Sequence, residues 1–514
     1  MHLTQSLHRN VQQQPHAPAT VFGDRVRTFT ESADRVAKLG GALRGLGVNP
    51  GDRVGMLAAN SDRYHEYFYA VPWIGAAVTP VNIRWSPKEI VYSLDESDTR
   101  VLLVDDMFAP MIPAIREGFP GIQEIIFCGD GEVPDGCLDY ENLVAEADPV
   151  PDTETGDDAL AGVFYTGGTT GFPKGVMLSH RNLLTSAMGS SATGHFLTPG
   201  GRLLHAAPMF HLADMASWVG GNLMGTTHVI VPFFTPKGVA QAISQHQTTD
   251  ALLVPTMIQM LVDDPATANY DLSCQQHVTY GASPISSAVL DRAQRTFPNA
   301  SFVQAYGMTE VAPVATLLLP DDHKDPVLRT SAGRAAPHSE VKIVGPDDVE
   351  LPRGEVGEVV VRGDHVMLGY WNQPEATAAA VRDGWMHTGD GGKMDEHGYV
   401  YIVDRIKDMI VTGGENVYSV EVENALASHP AVAAVAVIGV PDDHWGERVH
   451  AVIVLMPDAT VTDEELHDHT KDLIANYKVP RSFSYTDDLP KSGAGKVLKR
   501  ELRKQFWDGE RQVH

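Results

Sequence analysis

Between Phe164 and Gly175 the chain reads Phe-Tyr-Thr-Gly-Gly-Thr-Thr-Gly-Phe-Pro-Lys-Gly, with four glycines, three threonines and one lysine in twelve residues. Glycine allows the backbone to turn its N–H groups toward an anion, threonine hydroxyls add donors or an oxygen ligand for Mg²⁺, and Lys174 adds a cation. Thr166, Gly167, Gly168, Thr169, Thr170, Gly171 and Lys174 are therefore candidates for holding phosphate oxygens. An ordinary Gly/Thr-rich surface turn is the plain alternative.

The loop is not a Walker A loop, because Pro173 precedes Lys174 and Gly175 follows it where Ser or Thr is needed. A second near miss, Gly493-Ala-Gly-Lys496, is followed by Val497. A P-loop NTPase is thereby disfavoured. Neither a GxSxG elbow nor an HExxH helix occurs, which removes serine hydrolases and zincins as rivals.

Further short motifs follow in order: Tyr280-Gly-Ala-Ser-Pro284, Tyr306-Gly-Met-Thr-Glu310, Gly357-Glu-Val-Val-Val-Arg-Gly363, Gly369-Tyr-Trp371, Thr388-Gly-Asp390, Asp404-Arg405 and Lys491-Ser-Gly-Ala-Gly-Lys496. Together with the loop, this series closely resembles the adenylate-forming superfamily of acyl-CoA synthetases, peptide-synthetase adenylation domains and luciferases. The superfamily loop reads Tyr-Thr-Ser-Gly-Thr-Thr-Gly-x-Pro-Lys-Gly, and Gly167 stands here where Ser is usual. The resemblance spans essentially the whole chain.

The resemblance implies roles for particular residues. Thr309 meets the α-phosphate, and Glu310 binds Mg²⁺ together with Thr166. Asp390 and Arg405 hold the ribose. Gly281, Ala282, Ser283, Ala305, Tyr306 and Gly307 line the nucleotide and acyl site, although Tyr280 occupies a position that is often small. His211, in Pro208-Met-Phe-His-Leu212, gates the carboxylate end of the acyl pocket or is simply a hydrogen-bonded structural histidine. Lys496 is the catalytic lysine. Lys407 is the hinge about which the C-terminal domain turns, bringing Gly413 and Gly414 beside a pantetheine arm. Lys478 and Arg481 meet the nucleotide end of coenzyme A or are surface charges.

The chemistry explains why such residue types are needed. A carboxylate attacking the α-phosphate of ATP brings two anions together, so cations must offset charge that accumulates in the transition state. ATP, Mg²⁺ and coenzyme A are the expected co-substrates and cofactor. The expected reaction is activation of a fatty or aryl carboxylic acid to acyl-AMP with release of pyrophosphate, followed by thioesterification. An amine or a carrier protein as acceptor is the alternative, because those enzymes share nearly all of these motifs.

These residues need a scaffold. A helical stretch at 31–46 alternates with short apolar runs such as 101–104 and 125–128, which favours an α/β architecture with parallel-rich sheets. Strand candidates at 341–344, 358–362 and 399–403 mark a small β-rich subdomain. Beyond Asp404 a helix at 419–427, strands at 432–440 and 449–455 and a helix reaching about Tyr477 form a small α+β unit, which the resemblance implies is mobile. Thr462 and Glu465 have capping-box spacing at the start of that last helix. The expected division is an N-terminal domain at 1–403, a hinge at 404–408 and a C-terminal domain at 409–514.

Composition sets the outer limits. At 514 residues the chain exceeds the size of a single core. Lys and Arg total 39 against 66 Asp and Glu, a formal charge of −27, which argues against nucleic acid or an anionic membrane as partner. Cys128, Cys137 and Cys274 show neither CxxC nor metal spacing and read as buried free thiols. With no signal-peptide pattern and no long apolar run, a cytoplasmic enzyme acting on a small-molecule acid is expected, with homodimerisation left open.

Overall fold

The computed structural model describes residues 1–166, 173–283, 285–405, 408–412, 415–442, 444–491 and 497–507. By compactness the chain divides into two units, Met1–Val341 with Val361–Met386, and Lys342–Val360 with His387–His514. The architecture is the α/β arrangement expected, with a large parallel-rich part and a small α+β part.

Two large sheets form the first unit. In one, the strands Ser301–Tyr306, His277–Gly281, Asp250–Leu252, Arg202–His205, Thr227–Ile230 and Pro18–Phe22 lie side by side and parallel. In the other, Leu160–Thr166, Ala77–Pro80, Arg53–Leu57, Thr99–Val104, Glu124–Phe127 and Leu138–Asp139 are parallel, and Lys174–Ser179 and Gly369–Tyr370 add an antiparallel edge. Runs such as Val101–Val104 are buried throughout, the pattern of strands covered on both faces.

Local codes fix many element ends. The helix Phe29–Gly45 starts ahead of the predicted Glu31 because Thr28 caps it: Thr28 Oγ1 accepts from Glu31 N at 3.2 Å, and Glu31 Oε2 accepts from Thr28 N at 2.8 Å. The helix Asp62–Trp73 has all twelve residues buried. Its charges are met by partners: Arg25 Nη2 lies 2.9 Å from Asp62 Oδ1, Arg35 Nε 2.6 Å from Glu66 Oε1, and Arg63 Nη2 3.1 Å from Glu141 Oε1.

A polar cluster lies inside this core. Asp214 Oδ2 accepts the Nδ1 proton of His205 at 2.7 Å, His205 Nε2 is 2.8 Å from His228 Nδ1, and Trp218 Nε1 donates to His65 Nδ1 at 3.0 Å. All five side chains are buried. Burial lowers the His65 imidazole to about 3 and holds His228 well below its ordinary value.

In the second unit, a sheet of Glu415–Val417, Ile410–Thr412, Gly446–Leu455, Val432–Asp442 and Ser482–Tyr485 carries the helices Ser419–Ala427 and Asp463–Leu473. The capping box at Thr462 and Glu465 is formed. The helix ends at Leu473, short of the predicted Tyr477. Leu473 is exposed, whereas Ile474 leaves the helix in extended conformation and packs on the core. A single 3₁₀ turn, Asn476–Lys478, follows.

All three cysteines are free; Cys128 is buried, but Cys137 and Cys274 are only half-buried, because each lies at the margin of its core cluster. Among the described residues no helix is long and apolar enough to cross a membrane.

Candidate active site

The strands Leu160–Thr166 and Lys174–Ser179 form a hairpin whose register sets Thr166 opposite Lys174. This fixes both ends of the Gly/Thr loop. Its middle residues, Gly167, Gly168, Thr169, Thr170 and Gly171, lie outside the described residues. Tyr165 donates its hydroxyl to Glu96 Oε2, and the Trp371 indole donates to Glu96 O at 3.0 Å. Desolvation raises the Glu96 carboxyl. Trp371 N donates to Gly175 O at 2.7 Å, which ties the Gly-Tyr-Trp motif to the exit of the loop.

Neighbouring parallel strands bring two further motifs together. The register pairs Gly281 with Ala305, so Gly281–Ser283 and Ala305–Gly307 emerge side by side at the carboxyl ends of their strands, the usual place for ligands in α/β sheets. Both glycines are required by close backbone approach. A Cβ on Gly281 would sit 2.2 Å from Ala305 O, and one on Gly307 2.0 Å from Pro313 O. Ala282 turns the chain at φ +67°. Tyr280 points the other way, as alternation along the strand requires. It is buried with Val278 and Phe302, and its hydroxyl lies 2.9 Å from His323 Nε2. It therefore shapes the supporting layer behind Gly281.

After Gly307 the chain forms the 3₁₀ turn Thr309–Val311, in which Glu310 is buried and Thr309 half-buried. Tyr370 donates its hydroxyl to Glu310 Oε1 at 2.9 Å, and Met367 N donates to Glu310 O at 2.9 Å. The Lys174 ammonium sits 4.8 Å from the centroid of the Tyr370 ring. Burial first, and then the neighbouring carboxylate, push the Tyr370 phenol up, so it remains a donor. In the sequence Gly369-Tyr-Trp371 stands as a motif without a role for any of its residues. The usable signal was a tyrosine and a tryptophan in a segment paired with the exit of the loop.

His211 caps the helix Leu212–Met224, its Nδ1 accepting from Ala213 N at 3.3 Å, and is half-buried. The hydrogen-bonded structural role is thus present whatever else it does.

In the second unit, Asp390 is buried on the strand Trp385–Met394, and its backbone register is opposite Arg405 on Val400–Arg405. Thr388 Oγ1 accepts from Asp390 N at 3.1 Å and donates to Val359 O at 2.7 Å, which locks the Thr-Gly-Asp turn. Lys478 Nζ donates to both oxygens of Glu421 at 2.7 Å, and the Arg481 guanidinium lies 4.4 Å over the Trp445 ring. Lys407, Gly413, Gly414 and Lys496 lie outside the described residues.

Family comparison decides what such a site belongs to. The AMP-binding enzyme family model matches residues 7–371, and the AMP-binding enzyme C-terminal domain model matches residues 421–496. This chain belongs to the AMP-binding enzyme family. Within the family, it is 39% identical to a feruloyl-CoA synthase of Amycolatopsis sp over 503 residues, covering 97% of this chain and 98% of the relative. It is similar to o-succinylbenzoate CoA synthetase from Bacillus subtilis, solved with its acyl-adenylate intermediate, at TM-score 0.86 and 30% identity, covering 99% of each chain. It is also similar to the amide bond synthetase McbA from Marinactinospora thermotolerans, at TM-score 0.87 and 30% identity, covering 98% of this chain and 100% of that one. A long-chain-fatty-acid–CoA ligase of Mycobacterium tuberculosis is likewise 34% identical, over 90% of each chain, and with such relatives the chain is an AMP-forming acid–thiol ligase.

Proposed function

We propose that this ligase activates an aryl-substituted carboxylic acid with MgATP and passes the acyl group to coenzyme A. The full-length likeness to a feruloyl-CoA synthase is the observation that carries the choice of acid.

In the first half-reaction a carboxylate oxygen attacks the α-phosphorus, the P–O bond to the β-phosphate breaks, and pyrophosphate leaves. Gly167, Gly168, Thr169, Thr170, Gly171 and Lys174 surround the β- and γ-phosphates. Thr309 meets the α-phosphate, Asp390 and Arg405 hold the ribose, and Lys496 offsets charge at the reacting phosphorus. Removing one preorganised donor of this kind costs about 3 kcal/mol of transition-state stabilisation. His211 faces the acid's carboxylate end.

The residues fit Mg²⁺. Thr166 and Glu310 offer a hydroxyl and a carboxylate, hard oxygen donors. Two protein oxygens leave the remaining positions of an octahedral ion to the substrate's phosphates and water. When bound, Mg²⁺ supplies positive charge to the departing pyrophosphate.

In the second half-reaction the coenzyme A thiolate attacks the acyl carbonyl and AMP leaves. We assign the change of state to rotation of residues 409–514 about Lys407, which withdraws Lys496 and presents Gly413 and Gly414. Lys478 and Arg481 then serve the nucleotide end of coenzyme A. The Lys478–Glu421 ion pair opens when the nucleotide end of coenzyme A binds.

A panel of acids tests the choice of substrate. The expected result is that ferulate and related aryl acids give thioester with a kcat/KM at least about 10-fold above that of long-chain fatty acids. Preference for fatty acids overturns it. The likeness to an amide bond synthetase supports a second reading, an amine acceptor. AMP release driven by an amine in place of coenzyme A would establish that reading instead.

A further inference from the structure

We propose that Tyr370 is a positioning residue for the adenylation step, its hydroxyl fixing the Glu310 carboxylate and its ring seating the Lys174 ammonium. This rests on the reading of Glu310 as the Mg²⁺ carboxylate and of Lys174 as a phosphate-binding cation.

Two contacts converge on this one buried side chain. The hydroxyl donates to Glu310 Oε1 at 2.9 Å, the Lys174 ammonium lies 4.8 Å from the ring centroid, and Tyr370 is 8% exposed. A buried carboxylate that moved would leave a phenol donor unmatched, so Glu310 is held in one orientation. A phenylalanine would fill the same space and face Lys174 with an equivalent ring. The hydrogen bond from the hydroxyl to Glu310 is what distinguishes tyrosine from phenylalanine here.

The backbone around Tyr370 makes the coupling stiff. Gly369 and Tyr370 pair antiparallel with Met177 and Val176, directly after the phosphate loop. Trp371 N donates to Gly175 O at 2.7 Å, and Met367 N donates to Glu310 O at 2.9 Å. Within 367–371, Met367 thus bonds the peptide of Glu310 while Leu368, Gly369, Tyr370 and Trp371 bond or pair with the strand at the exit of the loop. Tyr370 N donates to Thr377 Oγ1 at 2.8 Å, which fixes the segment from its other side. Gly369, at φ +142°, allows the close approach, because a Cβ there would lie 2.8 Å from Thr377 Cγ2. Carboxylate and cation are therefore referenced to one rigid aromatic ring before substrate arrives.

Two substitutions separate the two contacts. Tyr370→Phe removes the hydroxyl and keeps the ring; Tyr370→Leu removes both. The readouts are the Mg²⁺ midpoint of ATP–pyrophosphate exchange and, without turnover, calorimetric affinity for ATP in EDTA. For Tyr370→Phe the Mg²⁺ midpoint rises about 10-fold, while affinity for metal-free ATP stays at the wild-type value. Tyr370→Leu additionally weakens metal-free ATP by about 5-fold, through loss of the seat for Lys174. A wild-type Mg²⁺ midpoint in Tyr370→Phe overturns the positioning role, provided Glu310→Gln itself shifts that midpoint. An unshifted Glu310→Gln overturns the reading of Glu310 and the proposal with it. Equal metal-free ATP affinity in the Phe and Leu variants overturns the role of the ring. Because Phe preserves volume and packing, the test of the hydroxyl stands even where Leu fails to fold.

Discussion

Asp214 accepts the Nδ1 proton of His205 across 2.7 Å in an interior where both side chains are buried. Asp214 lies in the first turn of the helix Leu212–Met224, whose N-cap is His211. The bond therefore ties the start of that helix to the strand Arg202–His205. Replacing Asp214 with Ala leaves a buried imidazole donor unmatched. A loss of about 3 kcal/mol in unfolding free energy is expected, read from urea midpoints. A variant as stable as wild type would show that the pair adds nothing.

Acid should destabilise the fold well before its carboxylates titrate. Burial lowers both His65 and His365 to about 3, below the ordinary value near 6.5. A lowered folded pKa means that the unfolded chain binds more protons between about pH 3 and 6.5. The stability associated with each neutral imidazole is thus complete above pH 6.5 and falls as pH drops through that window. At pH 5 each histidine accounts for a loss of about 2 kcal/mol, and His65→Phe should flatten the slope. Unfolding free energies that are level from pH 7 to 5 would contradict this.

Lys499 is the cation of a crowded acidic site in the second unit. Its ammonium is 2.7 Å from Glu423 Oε1 and donates to Ser419 Oγ, which in turn donates to Asp404 Oδ2 at 2.6 Å. Desolvation raises the carboxyls of both Glu423 and Asp404. Lys499→Met strands the buried Asp404 and the half-buried Glu423 and should cost about 3 kcal/mol, with much of the loss recovered when Glu423→Gln is added. The check is a double-mutant cycle in urea. Simple additivity of the two changes would sink the account.

The two half-reactions should part company at Lys496. Lys496→Ala is expected to reduce acyl-AMP formation by about 100-fold or more, yet leave thioester formation from supplied acyl-AMP close to wild type. Equal loss in both half-reactions would remove the two-state role assigned to this lysine.

Legibility in the sequence followed the range of the interactions. The Thr462–Glu465 capping box and the strands at 101–104 and 432–440 rest on neighbours in the chain, and each was readable as a local pattern. The end of the helix at Leu473 was not, because it depends on where Ile474 finds core to pack against. The direction of Tyr280 follows from strand alternation once its pairing with Gln304 is known, and that pairing is invisible in the sequence. The cluster of His65, His205, Asp214, Trp218 and His228 joins several separate elements, so no spacing announces it. The contact of Tyr370 with Glu310 spans sixty residues and escaped for the same reason.

In the proposed reaction the acid's own oxygen becomes bonded to the α-phosphorus before coenzyme A takes the acyl group. An acid labelled with ¹⁸O in its carboxylate, incubated with the enzyme, MgATP and coenzyme A, tests this most directly by mass spectrometry of the nucleotide product. The expected product is AMP carrying one ¹⁸O atom, together with unlabelled pyrophosphate and one thioester per AMP. Unlabelled AMP, or ADP with labelled phosphate, would contradict it.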